Sequence, residues 1–454
     1  MKSEGDFSKG NVSRISLRLG FPVMLAEMVH VLYSIVDRIY IGHLENGGTL
    51  ALTGIGLCFP LITLISAFAN LCSTGGTTMS TIARGEGDNR KAERILETSF
   101  TALLLIGVLL TFVLYIFAPA ALTLLGADDT TLPEALGYFR IYVAGTVPVL
   151  ISLGMNSFIN AQGYPKIGML TVIIGAVINL VLDPIMIFTF KMGIRGAALA
   201  TVIAQTVSAG WVMMFLCGNK ARVRLRRLLI DRSQLSGLFK LGITGFTFKM
   251  TNSITQAVVN IMLKSWGGVL STVYISAMSL INSLREILSL PINGITTGAQ
   301  SVMSYNYGAK LYKRVSESIR FMLLGGLCIN GFIWVVMMFL PSPLIRIFTN
   351  DSELINLTAA CARVYFGAFP FMALHLAGQM TFVALNKPAQ ALFFSLLRKV
   401  ILVTPLTLLL PGIGLGVNGV FWAECLSQLT GGTISFTAMY IMIWKKMKQS
   451  AALN

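Results

Sequence analysis

The sequence predicts an all-α polytopic membrane protein of about twelve transmembrane helices in two six-helix lobes, and three observations carry that expectation. Of its 454 residues 55% are hydrophobic and only 12% charged, far from the balance of a water-soluble domain. Long runs contain no Asp, Glu, Lys, Arg or His, as between Glu97 and Asp128, Arg195 and Lys220, Arg320 and Arg346, or Lys399 and Glu424. The chain also repeats itself at a constant spacing of 223: Asp37 aligns with Asn260, Asn70 with Asn293, Gly75 with Gly298, Gly85 with Gly308, Arg140 with Arg363 and Gln205 with Gln428.

About 20 apolar residues cross the hydrocarbon as a helix, and that length sets the elements in order. The first span falls near residues 15–41; it follows a polar, basic segment, so it acts as its own insertion signal, and Pro22 gives it a bending point. The second, near 50–82, is longer than a crossing needs and must tilt or project beyond the bilayer. The third, near 95–118, carries no charge after Glu97; the fourth, near 136–160, carries Arg140. The fifth, near 167–190, holds Asn179 and Asp183 in an otherwise apolar run, and the sixth covers 194–217. The same reading places the second six near 238–263, 272–304, 318–341, 358–383, 389–411 and 417–444, the eighth being long like the second. The domains expected are a first lobe over 1–218, a basic linker over 219–237 and a second lobe over 238–454.

An even number of crossings per half gives both halves the same orientation, related by a pseudo-two-fold axis along the membrane normal. With both termini cytoplasmic, the inner segments take most of the 35 basic residues, from Lys2 and Lys9 through the Lys220–Lys240 run and Arg398–Lys399 to Lys448. The outer loops keep Lys191, Arg195, Lys264 and Arg346. The expected location is therefore the plasma (inner) membrane, with the lipid bilayer as a partner. The net charge of +16 follows from this topology and does not imply nucleic acid as a partner. The densest cluster, KARVRLRRLLIDR at Lys220–Arg232, reads as a topogenic linker resting on anionic headgroups.

The six cysteines show no metal-binding spacing and read as small apolar fillers. There is no phosphate loop, dinucleotide fingerprint, zinc-binding helix or nucleophile elbow, and no loop long enough for a nucleotide domain. Neither an enzyme nor an ATP-driven pump is expected, and no resident cofactor.

Polar residues inside the spans are costly to insert and are site candidates by default. Glu27 and Asp37 lie in the first span; Asn179 and Asp183 lie four apart in the fifth, on one helix face, where they could hold a small cation or share a proton. Asp183 also precedes Pro184, which allows the plainer role of a turn residue. His30 and His375 read as hydrogen-bonded packing residues, and no Met is assigned to a site. Across the repeat Asp37 is matched by Asn260, Asn179 by Leu402, Asp183 by Leu406 and Thr201 by Glu424. Two leucines cannot ligate an ion, so only the first lobe is expected to be coupled.

These residues resemble the multidrug and toxic compound extrusion (MATE) transporters, especially the MepA-like branch. The resemblance rests on LGFP at Leu19–Pro22, VDRIYIG at Val36–Gly42, INLVLDP at Ile178–Pro184, GIRGAALATVIAQ at Gly193–Gln205 and TTGAQSVMSYNYGA at Thr296–Ala309, and covers nearly the whole chain. It implies two lobes around a central cleft, a first helix that bends at Pro22, and a secondary active antiporter that exports organic, mostly cationic drugs against inward H+ or Na+; one copy is expected to do the work. That last expectation is a functional monomer. The family's first-lobe cation cluster maps to Asp37, Asn179, Asp183 and Thr201, the positions where Na+ could sit. Acids that some branches carry on helices 7 and 10 are missing; those helices hold Lys249, Lys264, Arg363 and His375. The second lobe contributes Glu286 and Glu424 instead, and the branch's link between a helix 8 acid and drug recognition makes Glu286 the expected substrate-binding residue. The alternative is a lipid-linked saccharide flippase, which calls for a more cationic cleft than Asp37, Asp183 and Glu286 would make.

Overall fold

The computed structural model describes residues 6–42 and 48–447; Lys2 and Lys448, used in the charge argument, lie outside them. Every regular element among the described residues is helical. The chain separates into two units, one of Pro22–Lys249 and one of Asp6–Phe21 with the residues from Met250 onward. Helix α1 (Val12–Gly42) passes from the second unit into the first at Pro22, and α8 (Arg232–Trp266) leaves the first after Lys249.

The first unit is completed by α2 (Gly48–Gly85), α3 (Asn89–Leu124), α4 (Leu132–Ala144), α5 (Thr146–Ala161), α6 (Pro165–Pro184) and α7 (Ile194–Cys217). Asp88 starts α3 by accepting from the Lys91 N–H, and Pro165 opens α6, where its missing N–H leaves no bond unmade. The fourth expected span is a pair, α4 and α5, bent by 57° at Gly145. A Cβ there would stand 2.5 Å from Val202 of α7, so glycine admits the neighbouring side chain at the bend. On α3 the residues Leu105, Leu109, Phe112 and Ile116 are 56–66% exposed at helical spacing, an apolar stripe suited to lipid, while Ile95, Leu103 and Leu110 turn into the core with Phe139 and Phe158.

The second unit holds α9 (Ser271–Gly308), α10 (Tyr312–Phe339), α11 (Pro341–Ile345), α12 (Ser352–Tyr365), α13 (Phe371–Ala384), α14 (Pro388–Leu396), α15 (Thr404–Leu409) and α16 (Asn418–Met439). Its core gathers Met278, Phe366 and Phe421. The expected tenth and eleventh spans are interrupted, the tenth between Tyr365 and Phe371 and the eleventh by a π-helical turn at Leu397–Val403. Among the described residues seven helices are individually long and apolar enough to cross a membrane, eight if the bent α4–α5 pair is one span.

Helix pairs approach closely at glycines. In the first unit a Cβ on Gly242 would meet the Leu71 carbonyl oxygen at 1.9 Å, and one on Gly75 would meet that of Leu238 at 2.1 Å. In the second, Gly20 faces the Gly294 oxygen at 2.2 Å and Gly298 faces that of Ser16 at 2.1 Å. Leu71–Gly294 and Gly75–Gly298 keep the spacing of 223, but Ser16–Leu238 and Gly20–Gly242 are 222 apart. The repeat thus extends upstream of Asp37 with one residue less in α1 than in α8, which a comparison of residue types alone does not reveal.

The basic segment at Lys220–Asp231 runs against the first unit as an extended strap. Ala221, Val223 and Leu225 are buried in alternation, and Gln162 Oε1 accepts from the N–H groups of Arg222 and Val223, each at 3.0 Å. Two of its arginines meet acids of α3, Arg226 with Glu93 at 3.3 Å and Arg227 with Glu97 at 3.6 Å.

Candidate functional site

In the first unit, α6 and α7 bring three of the predicted residues together. Asn179 and Asp183 sit one turn apart on α6, both buried, and the Asn179 amide donates to Asp183 Oδ1 at 3.1 Å and to Thr201 Oγ1 of α7 at 3.4 Å. Asp37 of α1 completes the group, its carboxyl within hydrogen-bonding reach of Asp183. Pro184 ends the regular part of α6, and a π-helical turn follows at Ile185–Thr189, so Asp183 sits at a break in the backbone ladder. Asp183 and Pro184 both stay helical, so Asp183 is not a turn residue, and the break begins at Ile185.

Sequence reasoning did not single out Tyr33 of α1 or Tyr138 of α4, yet Tyr33 lies within electrostatic range of both carboxyls and Tyr138 of Asp37. Beside this group opens a cavity of about 80 Å³ lined by His30, Tyr33, Asn179, Thr201 and Gln205 among others. That volume holds several waters beside Asn179 and Thr201.

The second unit has a buried polar centre of its own, built around Glu424 rather than around the repeat positions of Asn179 and Asp183. Glu424 of α16 accepts from Arg398 at 2.7 Å and from Lys399 at 3.3 Å at each oxygen, all three being 5% exposed or less. Arg398 and Lys399 were assigned above to a cytoplasmic segment as topogenic charges; they lie instead within the π-helical turn of Leu397–Val403, facing a buried acid. At a spacing of 223 they occupy the places of Gly175 and Ala176, and Glu424 that of Thr201. The basic residues stand about one turn before Leu402 and about two before Leu406, and the centre they form differs in charge from that of the first unit. Its signal in the sequence was Glu424 itself, a carboxylate in an apolar span that needed a counter-charge.

Next to this centre is a cavity of about 20 Å³, lined by Thr255, Gln256, Arg285, Tyr365, Lys399 and Glu424, with Asn252, Asn282 and four apolar residues completing the wall. Arg285 of α9 lines it. Glu286 is exposed and does not, because adjacent helix residues point about 100° apart. His375 is buried and its Nδ1 lies 3.2 Å from Ser435 Oγ, a packing contact of the kind its surroundings suggested. Pro22 is buried inside a continuous α1, at the residue where that helix changes unit.

The MatE family profile matches residues 22–185 and 250–409, most of both units. The Multidrug export protein MepA of Staphylococcus haemolyticus (strain JCSC1435) is 22% identical over 438 residues, spanning 96% of this chain and 94% of its own. MepA of Staphylococcus aureus (strain MSSA476) is likewise 22% identical over 442 residues, 96% of this chain and 95% of its own. A solved MATE structure in a bent conformation superposes with a TM-score of 0.91 at 19% identity over 99% of each chain, a likeness of fold.

Proposed function

The chain belongs to the MatE family, and from that premise we propose that it is a proton-coupled multidrug efflux antiporter of the plasma membrane. The family is one of multi-pass membrane transporters, and the apolar helices fit that setting. What carries the coupling assignment is the contact between Asp37 and Asp183. A hydrogen bond between two carboxyls uses one proton, since a carboxylate can only accept. Releasing that proton leaves two like charges in contact inside a low-dielectric span, so loading and unloading drive two different arrangements of α1 against α6.

The same oxygens could ligate Na+, but the Asn179 amide donates to both Asp183 and Thr201, which favours a proton over a metal in this arrangement. A gradient of one pH unit is worth about 1.4 kcal/mol, enough for about a tenfold concentration ratio of a monocation exchanged one for one. Dye efflux from vesicles, with H+ and Na+ gradients imposed separately, tests the assignment: transport driven by Na+ alone would sink it. Cytoplasmic termini, supported by the distribution of basic residues, and a single copy as the working unit belong to the same proposal.

Pro22 supports a mechanical step. It has no N–H to close its helical turn, and it stands where α1 passes between units. Pro22→Ala is expected to slow turnover while equilibrium substrate binding stays within about twofold, a difference under roughly 0.5 kcal/mol. Unchanged turnover in the mutant would remove the hinge role.

Glu286, exposed on α9, is the proposed attraction for cationic substrates. At an effective dielectric near 20 a charge pair about 4 Å apart is worth roughly 4 kcal/mol before desolvation. Glu286→Gln should therefore weaken a cationic dye by about 1–2 kcal/mol, roughly fivefold to thirtyfold, and a neutral substrate much less. Equal loss for both would make Glu286 structural.

Lipid-linked saccharide flipping gains one observation, the basic centre around Arg398 and Lys399. The cavity beside it holds about 20 Å³, room for one or two water-sized groups and not for a pyrophosphate. Drug export is the better fit.

A further inference from the structure

The two cavities occupy matching places in the repeat. Lys399 corresponds to Ala176 and Glu424 to Thr201, each pair 223 apart and each lining its own cavity. Their surroundings are opposite in sign. The first lies beside two carboxyls, whereas the second is surrounded by Arg285, Lys399 and, behind them, Arg398, with Glu424 as the buried acid. Glu286 adds a second acid within electrostatic range of Arg285, but from an exposed position. Three cations against two acids leave one positive charge over.

Glu424 is already engaged by Arg398 and Lys399. Among the described residues Arg285 has no carboxylate within ion-pair distance. The Thr255 hydroxyl, 5% exposed on the cavity wall, has no hydrogen-bond partner, and neither has Arg398 Nε. A half-buried cation with no carboxylate at ion-pair distance and a buried hydroxyl without a partner are both unfavourable. One small anion in the cavity would relieve both.

We infer that the second-unit cavity is a binding site for one small monovalent anion, held by Arg285 and Lys399 with the Thr255 hydroxyl as a further donor. A cavity of about 20 Å³ admits a group the size of a chloride ion or of a carboxylate head. The anion can come from two sources, a free halide or the carboxylate of an organic solute, and the shared chemistry is a compact single negative charge. Glu424 tunes the site: it holds Lys399 in place while competing with the guest for the same cations.

The test is calorimetric titration of the purified full-length protein in a buffer of large, weakly binding anions, with sodium bromide in one arm and sodium acetate in the other. Saturable binding in either arm supports the site and identifies the source, and displacement of one by the other shows that both use it. Arg285→Gln and Lys399→Gln should each weaken binding at least tenfold. Thr255→Val, which leaves every charge in place and keeps its shape, should weaken it severalfold and guards against loss through misfolding. Glu424→Gln should bind several times more tightly, an outcome that a purely structural ion cluster does not produce. No saturable binding in either arm, or an affinity unchanged in both Arg285→Gln and Thr255→Val, would overturn the inference. Because binding is measured without a gradient, failure here leaves the coupling role of Asp37 and Asp183 standing.

Discussion

Replacing Asp183 with Asn is expected to bring gradient-driven efflux down to the background of empty membranes while the protein still inserts and binds substrate. The amide keeps the shape of the carboxyl and can still pair with the Asn179 side chain, so the packing between α6 and α7 survives. What disappears is the group whose charge changes, and with it the difference between loaded and unloaded states that lets an ion gradient do work. Losing one exchangeable proton in contact with a second carboxyl forfeits at least the roughly 1.4 kcal/mol of a tenfold change in rate, and an obligatory coupling step loses far more. Asp37→Asn should fail in the same way, since its carboxyl is the other half of the contact. Leu406→Ala, at the repeat position of Asp183, should alter transport far less, because the polar centre of the second unit lies elsewhere. Energised efflux from inverted vesicles, beside dye binding to the purified protein, reads both quantities. Full transport by Asp183→Asn would end the assignment, and loss of binding together with transport would turn the residue into a packing element.

The second large effect concerns the fold. Gly242→Ala should destabilise the first unit by about 1–3 kcal/mol, the range for overpacking a tight interior, because its Cβ would stand 1.9 Å from the Leu71 carbonyl oxygen. The clash is with backbone, so no side-chain rotation relieves it and the two helices must separate. Gly20→Ala should act likewise in the second unit, where the obstacle is the Gly294 carbonyl at 2.2 Å. Gly210→Ala is the contrast: nothing lies within 4 Å of that position, and removing a glycine from a helix interior should stabilise by roughly 0.5–1 kcal/mol. Thermal unfolding of the purified variants decides it, and equal midpoints for Gly242→Ala and Gly210→Ala would mean that the close approach does not limit stability.

The repeat, the apolar runs and the spacing of Asn179 and Asp183 are local or periodic properties, and the sequence by itself determined them. It set the chain in a membrane, divided it into related halves, and put Asn179, Asp183 and Thr201 where α6 and α7 bring them together. Other features depend on what lies opposite a residue, and only the tertiary structure decided those. Arg398 and Lys399 look like end-of-helix charges until the π-helical turn directs them at Glu424, and nothing local in their neighbours specifies that turn. Arg285 and Glu286 are adjacent in sequence, so the choice of which one lines the cavity rests on the rotational phase of α9 against its neighbours. The one-residue difference between α1 and α8 emerged only from which carbonyl each glycine faces. In the membrane interior the energetics turn on pairs of charges and on backbone approach, quantities defined between helices distant in sequence, and so the polarity of the second unit was settled by packing rather than by pattern.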